Sequence, residues 1–459
     1  MAVLRVDPIV GNNSNPYAAV AGGAAWAHPD VARAEALQGD LVLVYDNGAD
    51  FLYTAPASNN RFDPAHQIAN ALGSTEEGQR ITFRAAGNHR VYLGTTGGTG
   101  PVIGASAGRA FVTWEGFYID ENDYVWQSDT GPCVYAGGSD NYFLRIHVQG
   151  RADAAGVADN HCAYRGEDTL RMRMIDCTAV DFFQGGWGNW SHNNAGAMFY
   201  GARDYLVEHC DFIRCGSGLF PKGTAQSGAI FNYGVTRYSQ FRQCGKAMRS
   251  TFLHASSLSE FYQNLIWDAH PDEDFNNQRV GAEINESARN LHVYNNTIAM
   301  RIALQSNTSD GTHANIRAYN NILMGDGTAR VVNLGEANLA GASMWEMDYN
   351  LYHDSLGWSL NGSNIATIED WRVALGGAGD WNANNSFLAN PLFVDALTGN
   401  FHLQEGSPAD GAGFGGVPLG PFITGAEIMG VRPLGGSPPP SAFPYRVARL
   451  GKRLVYAEI

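Results

Sequence analysis

The chain has 459 residues, 44% of them hydrophobic and 16% charged, which is ample for a large core and excludes a disordered chain. Its formal net charge of −15 disfavours bulk binding of nucleic acid, which calls for the opposite sign. No apolar run of the roughly 18 residues that a transmembrane helix needs occurs.

The 55 Gly and 36 Asn exceed ordinary usage and mean many tight turns, because both residues tolerate positive φ. There are 27 Arg against 3 Lys (Lys222, Lys246 and Lys452), so each lysine stands out. The six Cys form no CxxC and no zinc-type spacing with His.

In chain order, Met1–Pro8 is not a signal peptide, since Asp7 and Pro8 interrupt any apolar stretch. Tyr17–Leu37 is Ala-rich and predicts one or two short helices. Gly39–Tyr45 predicts a strand, and Ile81–Arg84 with Val91–Leu93 predict the first units of a repeat. The repeat is clearest in Leu291-His-Val-Tyr-Asn-Asn-Thr-Ile298 and Ile316-Arg-Ala-Tyr-Asn-Asn-Ile-Leu323. Aligned on Asn296, one column reads Gly116, Ile146, Cys177, Cys210, Cys244, Asn264, Asn296, Asn321 and Asn350. Its steps run from 20 to 34 residues with a mean near 29. Each unit is a short alternating strand followed by turns, the mark of a strand with one buried face. Units of this length without helical periodicity predict an all-β parallel solenoid of about nine to twelve coils. The column then becomes an internal ladder in which Cys210 stacks on Cys244, Asn amides bond from coil to coil, and the Cys are small core residues, with disulfides the lesser alternative.

A solenoid needs its ends covered. We divide the chain into 1–78 (N-terminal arm, short helical cap and first strand), 79–405 (solenoid), 406–436 (C-terminal cap) and 437–459. The last segment starts at Pro438-Pro-Pro440, which favours an extended arm. It carries a net +3 against −18 for the rest.

Gln38-Gly-Asp-Leu-Val-Leu-Val44, the coils ending in Asn-Asn-x-Ile or Cys, and the closing Asn390-Pro-Leu-Phe-Val-Asp395 with Phe401-His-Leu-Gln-Glu-Gly-Ser-Pro408 resemble the pectate-lyase-like superfamily of right-handed, single-stranded parallel β-helices. The resemblance covers roughly 36–413. It implies the fold firmly and the function loosely, because the superfamily holds polysaccharide lyases, hydrolases, epimerases and phage spike or adhesion proteins.

The superfamily's lyases use Lys or Arg bases and often Ca²⁺, and its hydrolases pair carboxylates. Candidate catalytic residues are Lys222, in Pro-Lys-Gly after Gly216-Ser-Gly-Leu219, and His254, Asp272 and Asp274 at similar offsets in later repeats. Asp272 and Asp274 belong to the densest acidic cluster, which reads as a Ca²⁺ site or as a solvated loop. Trp187, Trp190 and His192, in a Gly-rich segment, suit stacking on sugar rings; the other reading packs both Trp beneath a loop. Arg242 and Arg249 would neutralise substrate carboxylates, although Arg is this chain's default cation.

The absence of a signal peptide and the basic tail favour a virion surface protein, such as a phage tailspike, fibre or capsid decoration, that binds or depolymerises surface polysaccharide. The alternative is a free secreted polysaccharide lyase or glycoside hydrolase acting on an acidic polysaccharide, with β-elimination ahead of hydrolysis. Expected partners are polysaccharide and a homo-oligomer or other virion proteins held through 437–459, with a trimer suggested by the resemblance to phage spikes. Neither nucleic-acid binding nor membrane insertion is expected, and Ca²⁺ is the one cofactor considered. The expected location is the virion surface or the extracellular space.

Overall fold

The structure is a computed structural model that describes residues 2–55, 62, 68–69, 80–95, 101–105, 109–122, 132–151, 161–183, 194–222, 232–251, 253, 257–267, 279–285, 288–307, 313–335, 345–375, 383–433, 445–450 and 453–458. Three long sheets carry the chain. Sheet A has 13 strands, sheet B 12 and sheet C 11. Each coil contributes one short strand to each sheet; one coil runs Arg289–Tyr294 in A, Thr297–Ala299 in B and Ile302–Asn307 in C. The next coil's strand in A, Ala314–Tyr319, lies parallel to Arg289–Tyr294. This is the right-handed parallel β-helix, and the alternating pattern of each strand sends one set of side chains to the common interior. Ring stacks fill that interior, such as Phe83 on Trp114 at 4.5 Å and Phe212 on Phe241 at 4.9 Å.

The bend from sheet A to sheet B uses one left-handed residue per coil. Arg145, Asp176, His209, Tyr238, Gln263, Asn295, Asn320 and Tyr349 all have φ between 49° and 57°. Such a conformation costs a non-glycine residue about 1–2 kcal/mol. The residue that follows points inward and bonds to its neighbours above and below, which offsets the cost. Asn264 N–H donates to Asn296 Oδ1 at 2.9 Å, Asn296 N–H to Asn321 Oδ1 at 3.0 Å, and Asn321 N–H to Asn350 Oδ1 at 3.0 Å.

The ladder departs from the sequence alignment at two points. Cys210 N–H donates to Ser239 Oγ at 3.2 Å and Ser239 N–H to Asn264 Oδ1 at 3.1 Å, so Ser239 holds the rung expected of Cys244. The irregular steps of 34 and 20 residues thereby become 29 and 25. Cys244 belongs to the next bend, from sheet B to sheet C. There Asp211 pairs with Gln240 and Ile213 with Arg242, a register that sets Cys244 over Cys215 rather than Cys210. Gly116 is likewise one residue early, since Tyr118 pairs with His147 and Phe117 therefore faces Ile146. All six Cys are buried and unbridged.

The stack begins earlier than residue 79, because Val3–Val6 and Leu41–Tyr45 already lie in sheet A. Helices Tyr17–Ala21 and Pro29–Glu35 lie beside this end. Pro29 at the first helical turn has no N–H to satisfy, and His28 Nδ1 accepts from Asp30 N–H. At the other end Trp371, in helix Ile368–Ala374, stacks over Trp358 at 6.0 Å. Beyond it the chain turns back along the stack. Phe414 N–H donates to Asn320 Oδ1, Gln263 Nε2 to the Pro421 carbonyl, Gly430 N–H to the Tyr238 carbonyl, and Arg432 forms three bonds to Asp176. Residues 414–432 are thus a strap over the A-to-B bend. The tail, expected as an extended arm, forms an antiparallel hairpin of Tyr445–Leu450 with Arg453–Glu458.

Candidate functional site

The outer face of sheet C is the chemically distinctive surface among the described residues. Strands normally send alternate residues outside, but here consecutive pairs such as Ala247–Met248 and Ala303–Leu304 both face the core, so outward residues lie on either side of each pair. Register aligns the outward residues into columns across successive coils. One runs Arg165, Met198, Phe220, then Arg249, Glu283 and Gln305. A second runs Ser217, Lys246, Val280 and Ile302. A third runs Lys222, Thr251 and Asn285.

Several of these outward residues are covered. Lys246 and Glu283 are each 3% exposed, and Phe220, Met198, Thr251 and Asn285 are also buried. Lys246 Nζ reaches diagonally across the strands to Glu283 Oε2 at 2.5 Å. Arg249 Nε lies 3.2 Å from the same oxygen, and Asn285 Nδ2 donates to it at 3.1 Å. Burial pushes the Lys246 ammonium down to about 8; the Glu283 carboxylate opposes the fall and the Arg249 guanidinium adds to it. A buried ion pair adds little to stability, because desolvation consumes most of the attraction. A lysine poised near neutral pH is instead what proton transfer requires.

The cations cluster around two rings. Lys222 Nζ lies 5.5 Å from the centroids of both Tyr200 and Phe220. The Arg249 guanidinium sits 4.8 Å from Phe220, and Arg165 sits 4.6 Å from Tyr200. Aromatic faces hold such cations in place. Four positive groups, two aromatic faces and two carboxylates, Glu283 and the Glu167 that lies 3.6 Å from Arg165, therefore share one patch. Elsewhere Arg serves coil-to-coil ion pairs, such as Arg171 with Asp140 and Arg237 with Glu208.

Of the residues singled out from sequence, Lys222 and Arg249 come together here. Arg242 does not. It lies on sheet B in Gln240–Arg242, with its guanidinium 5.9 Å from the Trp267 ring. Trp187, Trp190, His192, His254, Asp272 and Asp274 lie outside the described residues, and with them the Ca²⁺ site considered for Asp272 and Asp274. Lys246, Glu283 and Asn285 were not anticipated. The scarcity of Lys was the available signal for Lys246. Nothing local marks Glu283, because its pairing depends on the register of separate strands.

No protein-family model matches the chain, and no curated protein does. Solved structures that match include a rhamnogalacturonan lyase, 14% identical over 89% of this chain and 96% of that one, with a TM-score of 0.40. A PL6-family polysaccharide lyase from Pseudopedobacter saltans is 11% identical over 87% and 96%, with a TM-score of 0.43. Pectate lyase Pel9A is 15% identical over 92% and 96%, with a TM-score of 0.39. The three parallel sheets of its own stack make this chain a single-stranded parallel β-helix.

Proposed function

We propose that the protein acts on an acidic polysaccharide by β-elimination, with the outer face of sheet C as its active surface. The observation that carries this is Lys246, a buried lysine on the outside of a solenoid with its pKa drawn down to about 8. Elimination needs a base to take the proton from the carbon beside the sugar carboxylate. It also needs cations to hold the negative charge that spreads onto that carboxylate. Lys246, as the neutral amine, is the base; Arg249 and Lys222 face the carboxylate. The glycosidic C–O bond on the adjacent carbon then breaks as the C=C bond forms in one product, and its electron pair goes to the leaving oxygen, which takes a proton from the Lys246 ammonium or from water and becomes the hydroxyl of the new end. Glu283 holds Lys246 in place, and its own negative charge favours return of the proton to the lysine.

The rows of a β-helix repeat about every 4.8 Å, so an extended polymer lying along the axis meets one new residue of each column per coil. The same face serves whether the protein is free or mounted on a virion; the virion reading rests on the basic tail and gains no further support.

The test is ultraviolet detection of the unsaturated product on a panel of uronate polysaccharides. Activity should rise as pH increases through about 8, where Lys246 loses its proton. Lys246→Met should lower kcat by at least about 100-fold, the usual contribution of a positioned base. Absence of any unsaturated product across the panel, or an unchanged rate in the Met variant, refutes the proposal.

A further inference from the structure

A second cluster lies inside the stack, beside Cys162, whose side chain packs with Met198 and Phe220 of the sheet C patch. Glu121 follows the sheet B strand Phe117–Asp120, and Cys133 lies in the sheet C strand Pro132–Ala136 of the same coil. His161 precedes Cys162–Glu167, the sheet C strand of the next coil. Glu121 Oε1 accepts from the Cys133 thiol at 3.1 Å and lies 2.9 Å from His161 Nε2. Glu121 and His161 are 2% exposed and Cys133 is 0% exposed. Glu121 Oε2 is buried with no hydrogen-bond partner. The Phe182 ring packs against His161 at 5.1 Å.

From this geometry we infer that Glu121, Cys133 and His161 hold one divalent cation of the zinc class, joining two consecutive coils. The three donor atoms all lie within 4.8 Å of one another. Tetrahedral zinc with bonds near 2.0–2.3 Å separates its donors by roughly 3.4 Å, so the side chains need shift only slightly. The charge balances. A thiolate and a carboxylate neutralise a divalent ion, and the imidazole binds as the neutral base. Binding displaces the thiol proton, and the imidazole offers Nε2 with its one N–H on Nδ1. The carboxylate, so far carrying both contacts on one oxygen, gains a use for the other. Thiolate and imidazole donors select zinc or cobalt over calcium or magnesium. Three protein ligands leave the fourth position to water. The inference is independent of the glycan proposal, because the cluster faces the interior rather than the outer face of sheet C.

The experiment measures metal in the full chain purified without chelator, then adds Co²⁺ to chelator-treated protein. About one equivalent of zinc is expected, and Co²⁺ should give the near-ultraviolet charge-transfer band of a thiolate ligand. Cys133→Ser should abolish the band, and His161→Gln should weaken metal affinity by more than about 10-fold. Cys162→Ala is the control: it alters the neighbouring buried thiol and should keep both metal and band. Circular dichroism identifies any variant that fails to fold. Zinc far below one equivalent together with no cobalt band in the folded wild-type chain overturns the inference, as does a band that survives Cys133→Ser.

Discussion

Asn296→Ala tests the ladder, the feature that holds successive coils in register. The Asn296 amide donates to the Phe261 carbonyl at 2.9 Å, to the Tyr294 carbonyl at 3.0 Å and to Asn321 Oδ1 at 3.0 Å. Its oxygen accepts from Asn264 N–H at 2.9 Å and Asn264 Nδ2 at 3.1 Å. Alanine removes all of these and leaves the Asn264 N–H buried with no acceptor. An orphaned buried donor costs about 1–3 kcal/mol and each lost bond about 0.5–1.5 kcal/mol; allowing for overlap among them, we expect a loss of about 4 kcal/mol. Asn296→Ser is the partner experiment. A serine oxygen can accept from the backbone one coil back, as Ser239 does for Cys210. It should therefore recover about half of the loss. Urea unfolding followed by far-ultraviolet circular dichroism reads both variants, with the slope m checked for constancy. An alanine variant within about 1 kcal/mol of wild type, or a serine variant no better than alanine, refutes the reasoning.

Two further outcomes follow from the C-terminal segments. Burial raises the Asp211 carboxyl from 3.8 to about 6, with the Val431 N–H and Arg242 opposing and Asp176 adding to the rise. The folded state thus keeps a proton that the unfolded chain releases, so this group's contribution to stability is full below pH 3.8 and is lost as pH rises through about 6. Asp211→Asn should stabilise the protein by up to about 3 kcal/mol at pH 7 and by almost nothing at pH 4, as read from urea midpoints at the two values; equal effects at both would reject the titration. For the basic tail we propose attachment to a second copy of the chain. Light scattering on the full chain and on a chain lacking 437–459 should show an oligomer that falls to monomer; a monomeric full chain, or an oligomer indifferent to the deletion, rules this role out.

How far the fold was legible depends on which signals were local. The Asn-Asn pairs Asn295-Asn296 and Asn320-Asn321 put a residue tolerant of positive φ next to one whose amide bonds along the axis, and both facts belong to residue type. The misplaced Cys244 shows the limit. Gln243 before Cys244 and Arg214 before Cys215 are left-handed, as His209 before Cys210 is, so the two bends of a coil look alike in sequence. Only the pairing of Asp211 with Gln240 separates them. The tail hairpin had a local cue in its two-residue Gly451-Lys452 separation, a hairpin length that the triple proline overshadowed.

Sequence by itself determined that this chain is a parallel solenoid with an internal asparagine ladder, and favoured buried cysteines over disulfides, because periodicity and residue size act within a few neighbouring positions. It also marked Lys222 and Arg249. Tertiary structure alone decided that Lys246 meets Glu283 at 2.5 Å, 37 residues away in the chain. It likewise decided that Glu121, Cys133 and His161 converge and that Arg432 returns to Asp176. Those contacts depend on the register between coils, and register is set by the summed packing of three sheets. A one-residue slip would turn every one of these side chains to the opposite face.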